Sequence, residues 1–183
     1  MAAAVIRDRI GDGLTGNHLV LLVHLDCDYI ADVGFGDGLY EPAPLVEGAI
    51  EQQGFVSRLA LLPDGWWRFH NHQNCSAPSF DFRAEAADPT MLVRVSDFLA
   101  TSEKSPFTQN LVLQRRFPDR VEAIRNAFRI TAYPARLERR VMTSADELLD
   151  EMRDVFGLDV PEAAVLWARA QERGRIMLRE NPL

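Results

Sequence analysis

The alternation of apolar and polar positions divides this chain into three stretches. Over residues 1–42 the strongest signal is Leu19-Val-Leu-Leu-Val-His-Leu25, apolar and β-branched enough for a buried strand. Asp26-Cys27-Asp28 is polar and turn-like, and Tyr29-Ile-Ala-Asp-Val-Gly-Phe35 returns as a second strand, which predicts a hairpin. Gly34, Gly36 and Gly38 then break the regularity, and Pro42 and Pro44 close the unit.

Residues 45–133 read mostly as β. Gly54–Leu62 is a strand candidate, answered by Trp66–His70 across Pro63-Asp64-Gly65, where Pro sets the first φ and Gly takes a positive one. Leu111–Phe117, Pro118-Asp119 and Val121–Ile130 repeat that pattern, while Met91–Leu99 suits a short helix as well as a strand. From residue 134 the period changes. Ser144-Ala-Asp-Glu147 fits a capping box, and Leu148, Leu149, Met152, Val155 and Phe156 follow at helical spacing. Gly157 is a natural C′ residue, and Pro161 suits the first turn of a second helix holding Leu166, Trp167 and Ala170. A β-rich body with a helical end is α+β.

Composition narrows the function classes. The 183 residues carry 20 basic and 27 acidic side chains, a net −7, and Lys104 is the only lysine. An acidic chain without a basic run argues against nucleic acid and anionic membrane as partners. No apolar run approaches a membrane span, Leu19–Val23 being strand-sized, and the N-terminal residues lack a signal-peptide core. Cys27 and Cys75 make no disulfide framework, so a cytoplasmic protein is expected.

The candidate chemistry starts with His18 and Asp32. An acid inside the apolar run Ile30-Ala-Asp-Val-Gly-Phe35 is expected to be partly buried and to need a partner. An imidazole is suitable, with Asp32 fixing the tautomer of His18 as the third member of a nucleophile–base–acid triad does. The alternative is an aspartate satisfied by turn amides. A hairpin centred on Cys27 opposes His18 to Gly36 and Asp32 to Leu22. That leaves the two groups four positions apart, about 13 Å, so contact needs a bulge, a shifted register or a bend.

Other groups carry less. His70 and His72 form a His-x-His pair near Cys75, but no fourth ligand stands at zinc-like spacing, so no metal is expected. Cys27 lies between two aspartates, which disfavour the thiolate, and Cys75 has no adjacent base. Gly11-Asp-Gly-Leu-Thr-Gly16 precedes a strand rather than a helix and fails the context of a dinucleotide fingerprint or P-loop.

The segment Thr15-Gly-Asn-His18, continuing through Asp32-Val-Gly-Phe-Gly36, resembles the His and Asp-Val-Gly-Phe-Gly segment of the arylamine N-acetyltransferases. Ser96–Arg116 and Ser144–Trp167 resemble later stretches of the same family, in order, over nearly the whole chain. The resemblance implies a β-barrel-like antiparallel body (1–95) followed by a C-terminal α/β lid (96–183), the last two domains of a cysteine-protease-like fold. It implies acetyl transfer from acetyl-CoA to an arylamine or arylhydrazine nitrogen through a Cys-His-Asp triad. Carried over residue by residue, His18 is the imidazole and Asp32 the carboxylate. Phe35 and Phe107 line the acceptor pocket, and Thr15, Gly16, Phe98 and Lys104 meet coenzyme A, with Lys104 in place of a small polar residue.

The family's Arg-Gly-Gly-x-Cys nucleophile segment has no counterpart in this sequence and would fall ahead of Met1. The expectation is therefore a chain lacking the N-terminal helical domain, a part on the order of 100 residues. Its apolar strand Leu19–Leu25 would be left partly uncovered, which favours self-association or a separate helical partner. A non-catalytic pseudoenzyme, or a CoA- or partner-binding module, is the alternative.

Overall fold

The computed structural model describes residues 2–6 and 15–180. Eight strands form one antiparallel sheet: β1 (Ala2–Ile6), β2 (His18–His24), β3 (Asp28–Ala31), β4 (Ala43–Pro44), β5 (Gly48–Gln52), β6 (Phe55–Leu61), β7 (Trp67–His70) and β8 (Ser79–Phe82). Their spatial order is β4-β3-β2-β1-β8-β7-β6-β5. Among the described residues no pairing joins β4 to β5, so the sheet does not close into a hydrogen-bonded barrel. Its core is aromatic, with Phe69, Phe80 and Phe82 packed on Val20, Ile30, Leu59 and Phe35.

Helices α1 (Pro89–Thr101) and α2 (Pro106–Gln109) lead to a second antiparallel sheet of β9 (Val112–Arg116), β10 (Val121–Arg125), β11 (Phe128–Ala132) and β12 (Leu137–Val141), in the order β12-β11-β10-β9. Residues 95 and 96 both lie inside α1. The chain ends in α3 (Ala145–Asp154), a 3-10 turn (Pro161–Leu166) and α4 (Trp167–Glu180). Ile124, Met142, Leu148, Met152 and Ala163 make the core between this sheet and the helices. The two sheets meet at Phe55, Val121 and Ala132. There His72 Nε2 bonds the Pro134 carbonyl at 2.9 Å.

Local chemistry accounts for several boundaries. Met91–Leu99 resolves as helix because Asp88 caps it, its side chain accepting from the Thr90 N–H, with Pro89 in the first turn. The turn at Pro63-Asp64-Gly65 closes with the Gly65 N–H donating to Leu62 O at 2.9 Å, and Gly65 takes φ 82°. Ser144 caps α3 as predicted, but Glu147 reaches one residue further back, to the Thr143 N–H at 2.7 Å. Gly157 ends that helix at φ 70°.

The β2–β3 register differs from the expected one. Leu22 opposes Ile30 and His24 opposes Asp28, so the turn centres on Asp26 rather than Cys27. The two-residue shift keeps every side chain on its face, and it brings Asp32 two positions nearer His18. The ladder ends at Ala31, after which residues 33–38 form a succession of bends.

Candidate active site

His18 opens β2 and Asp32 follows β3, each 9% exposed. The imidazole Nε2 lies 2.7 Å from Asp32 Oδ2. An ionised carboxylate only accepts, so Nε2 carries the proton and Nδ1 is left as the basic nitrogen. The other carboxylate oxygen is also occupied, since Oδ1 accepts the Gly34 N–H at 3.0 Å and the Phe35 N–H at 3.1 Å. Both sequence alternatives for Asp32 therefore hold at once: it partners the histidine and it caps its own turn.

The ring of His18 is held by aromatic packing. Phe35 lies 5.0 Å away and Phe80 4.8 Å away, centroid to centroid. Phe35 is 7% exposed and packs on Phe69 and Phe80, so it backs the imidazole from inside the core. A fixed tautomer and a fixed ring plane are what a general base requires.

An open cavity of ≈ 370 Å³ lies against this pair, lined by Gly16, Asn17, His18, Gly34 and the α1 residues Leu92, Ser96 and Leu99. Those three helix residues fall at i, i+4 and i+7 on one face. Sequence reasoning missed them as site residues, although that spacing was legible once Met91–Leu99 was read as helix. Gly16 has φ 92°, and a Cβ there would stand 3.1 Å from the Met91 side chain, so a small residue lets α1 approach. Thr15 is exposed beside it.

The remaining expected site residues are spread out. Phe98 is half-buried on α1, and Lys104 is exposed in the turn after it. Phe107, 60% exposed, lines a different cavity of ≈ 380 Å³ between the two sheets, together with Asp37, Cys75 and Arg139. Residues 7–14, which include most of the Gly11–Gly16 stretch, lie outside the described residues.

No described thiol stands at the pair. Cys27 is exposed at the hairpin tip, beyond the far end of β2 from His18. Seven residues of strand separate the two ends by about 20 Å. Cys75 packs with Phe55, Val121 and Ala132, and burial pushes its thiol up to about 12. A thiol at that value is protonated and a poor nucleophile at neutral pH. The His-x-His pair also separates: His70 is exposed, whereas His72 accepts the Val56 N–H on Nδ1 and donates its Nε2–H to the Pro134 carbonyl. No helix among the described residues is long and apolar enough to cross a membrane.

The fold of the described residues recurs in solved structures. The arylamine N-acetyltransferase of Mycobacterium abscessus superposes with a TM-score of 0.78 at 22% identity, over 93% of this chain and 64% of that one. The Mycobacterium marinum arylamine N-acetyltransferase in complex with CoA gives 0.77 at 21%, over 93% and 67%. The Salmonella typhimurium protein gives 0.72 at 21%, over 87% and 60%. The chain thus spans about two thirds of the length of these solved relatives. No protein of curated function matches it. A family profile described as N-acetyltransferase matches residues 1–165. The chain belongs to the arylamine N-acetyltransferase family.

Proposed function

We propose that this chain supplies the general base, its orienting carboxylate and the acetyl-CoA-facing surface of an arylamine N-acetyltransferase. The reaction is acetyl transfer from acetyl-CoA to an arylamine or arylhydrazine nitrogen. The observation that carries the reading is the 2.7 Å His18–Asp32 contact, buried on its inner side and bordered by an open cavity. Nδ1 of His18 takes the proton of an attacking thiol, and the Asp32 carboxylate stabilises the imidazolium that forms. The thiolate attacks the acetyl carbonyl, CoA leaves as its thiol, and the same imidazole then serves the attacking amine.

Neither cysteine of the sequence, Cys27 or Cys75, stands at Nδ1, so in this proposal the thiol is supplied by polypeptide other than these 183 residues. Gly16, which lines the cavity, and the exposed Thr15 before it are proposed coenzyme contacts, with Phe98 and Lys104 further along α1 and its following turn. Phe107, exposed at the cavity between the sheets, is the proposed aromatic acceptor contact, whereas Phe35 lies in the core behind His18 and acts through the ring it packs on. The M. marinum relative is a CoA complex, which supports the coenzyme assignment.

An exogenous small thiol tests this directly. With acetyl-CoA and a simple alkanethiol, CoA release by thioester exchange is expected to run faster with the protein than with its His18→Ala variant. Equal rates would remove the base assignment. The absence of a described thiol beside His18 favours a second reading, a non-catalytic CoA-binding module. Saturable CoA binding without His18-dependent exchange would select it.

A further inference from the structure

Asp37 is the carboxylate that the chemistry above leaves unused. It is 2% exposed. Among the described residues the other buried carboxylates have cationic or imidazole partners: Asp32 has His18, Asp81 has Arg68, and Glu122 has Arg120 and Arg129. Among the described residues Asp37 has no ion-pair partner and is satisfied by neutral donors. Asn71 Nδ2 donates to Oδ1 at 3.2 Å, while the Ser76 N–H and Gln114 Nε2 donate to Oδ2, the latter at 3.2 Å. Gln114 Nε2 also reaches Ser76 Oγ at 3.0 Å.

These partners belong to different parts of the fold. Asn71 and Ser76 follow β7 of the large sheet, and Gln114 lies in β9 of the small one. Gly36, next in sequence, is pressed against the same glutamine, since a Cβ there would stand 2.7 Å from Gln114 Cβ and Oε1. Its φ of 76° also favours glycine. The near wall is cationic. Arg116 stacks 3.7 Å over the Phe55 ring, and its Nε and Nη1 are buried without a hydrogen-bond partner among the described residues. Burial pushes the Asp37 carboxyl above its ordinary value, opposed by Ser76, Asn71 and the field of Arg116. Cys75 is the other titratable group whose field it meets.

Asp32 and Asp37 are the two ends of one irregular loop. The bonds from Gly34 and Phe35 to Asp32 are internal to that loop and move with it. They shape the loop but do not anchor it. Anchoring falls to the buried Phe35 ring and to Asp37. Resting on the acyl-transfer reading, we propose that Asp37 is a positioning residue: through Gln114 it clamps the Asp32–Asp37 loop to the second sheet and so keeps the Asp32 carboxylate on His18 Nε2. The small sheet is then part of what orients the base.

The test uses the full chain without acetyl donor, so its outcome is independent of CoA chemistry. In nitrogen-15-labelled protein the His18 imidazole reports the tautomer by its ring nitrogen shifts and the hydrogen bond by solvent exchange of Nε2–H. Gln114→Ala and Asp37→Ala are expected to speed that exchange about tenfold or to mix the tautomers, because local opening governs both. Asp37→Asn keeps an acceptor for Ser76 and Gln114 and is expected to stay within about twofold of wild type. If Asp37→Ala does not fold, Gln114→Ala, at a less buried position, carries the test. Met152→Ala, in the core on the other face of the small sheet, serves as a destabilised control and should leave the His18 signals unmoved. The proposal is overturned if His18 is unchanged in Gln114→Ala, if Asp37→Asn behaves like Asp37→Ala, or if Met152→Ala perturbs His18 as much.

Discussion

Replacing Asp32 separates its two tasks. In Asp32→Ala the His18 Nε2–H loses its acceptor inside a site where the Asp32 side chain is 1% exposed. The Phe35 N–H loses its partner in the same buried place, while the Gly34 N–H lies nearer solvent. A hydrogen bond to a charged group contributes about 1.5–3 kcal/mol, and such neighbours are not additive. The expected loss is about 3–5 kcal/mol, as for other buried pairs broken from one side. Asp32→Asn keeps Oδ1 for both backbone donors and turns an NH2 toward Nε2, which forces the opposite tautomer. Its expected loss is about 1–2 kcal/mol in stability, with the base nevertheless misdirected. Urea unfolding at neutral pH measures both. With a slope of about 2 kcal/mol/M, the alanine midpoint should fall by roughly 2 M and the asparagine midpoint by less than 1 M, at unchanged slope. Equal midpoints for the two variants, or two variants as stable as wild type, would refute the assignment of a double role to this carboxylate.

Other expectations are as direct. Cys75 binds its proton more tightly folded than unfolded, its value rising from 9.0 to about 12, so stability is full below 9.0 and falls as pH climbs toward 12. At pH 10.5 wild type should have lost about 2 kcal/mol that Cys75→Ala keeps, read from urea midpoints across alkaline pH. Asn126, 1% exposed at φ 56°, accepts from the Leu111 N–H and donates to Asn110 Oδ1. Asn126→Gly should lower stability by about 1–2 kcal/mol, and Asn126→Ala by about 1 kcal/mol more, because alanine adds strain at positive φ. Gly16→Ala is expected to cost about 1–2 kcal/mol and lower the melting temperature, since it strains a φ of 92° and crowds Met91.

Parts of the fold were legible because local chemistry agreed with long-range packing. The hairpin around Pro63-Asp64-Gly65 and helix α3 with its Ser144 cap and Gly157 stop have turn and cap residues that few other structures would use. β1 was not legible, because Ala2-Ala-Ala-Val-Ile6 lacks alternation and sits at the middle of the sheet, where β2 and β8 supply the packing. β8 was missed because Ser79-Phe-Asp-Phe82 is buried at every position, with Asp81 neutralised by Arg68 directly across the ladder. The apolar run Val121–Ile130 concealed a hairpin, since its turn uses Asn126 at positive φ and a buried Ala127 in place of glycine.

The site divides the same way. His18 and Asp32 stood out because an acid within an apolar strand needs a partner. The register that joins them did not, because the tip Leu25-Asp-Cys-Asp28 allows either centre and only the three-dimensional packing chooses. Asp37, between Gly36 and Gly38, was not singled out in the sequence, since its burial depends on Asn71, Ser76 and Gln114, up to 77 positions away.

The two cavities are of similar volume, ≈ 370 Å³ beside His18 and ≈ 380 Å³ between the sheets, so coenzyme binding can choose between them. The decisive measurement is a CoA titration of nitrogen-15-labelled protein followed residue by residue. Saturable shifts are expected at Gly16, Asn17, His18, Gly34, Leu92 and Ser96. Shifts confined to Cys75, Phe107, Arg125 and Arg139, or none at millimolar CoA, would contradict this placement of the coenzyme.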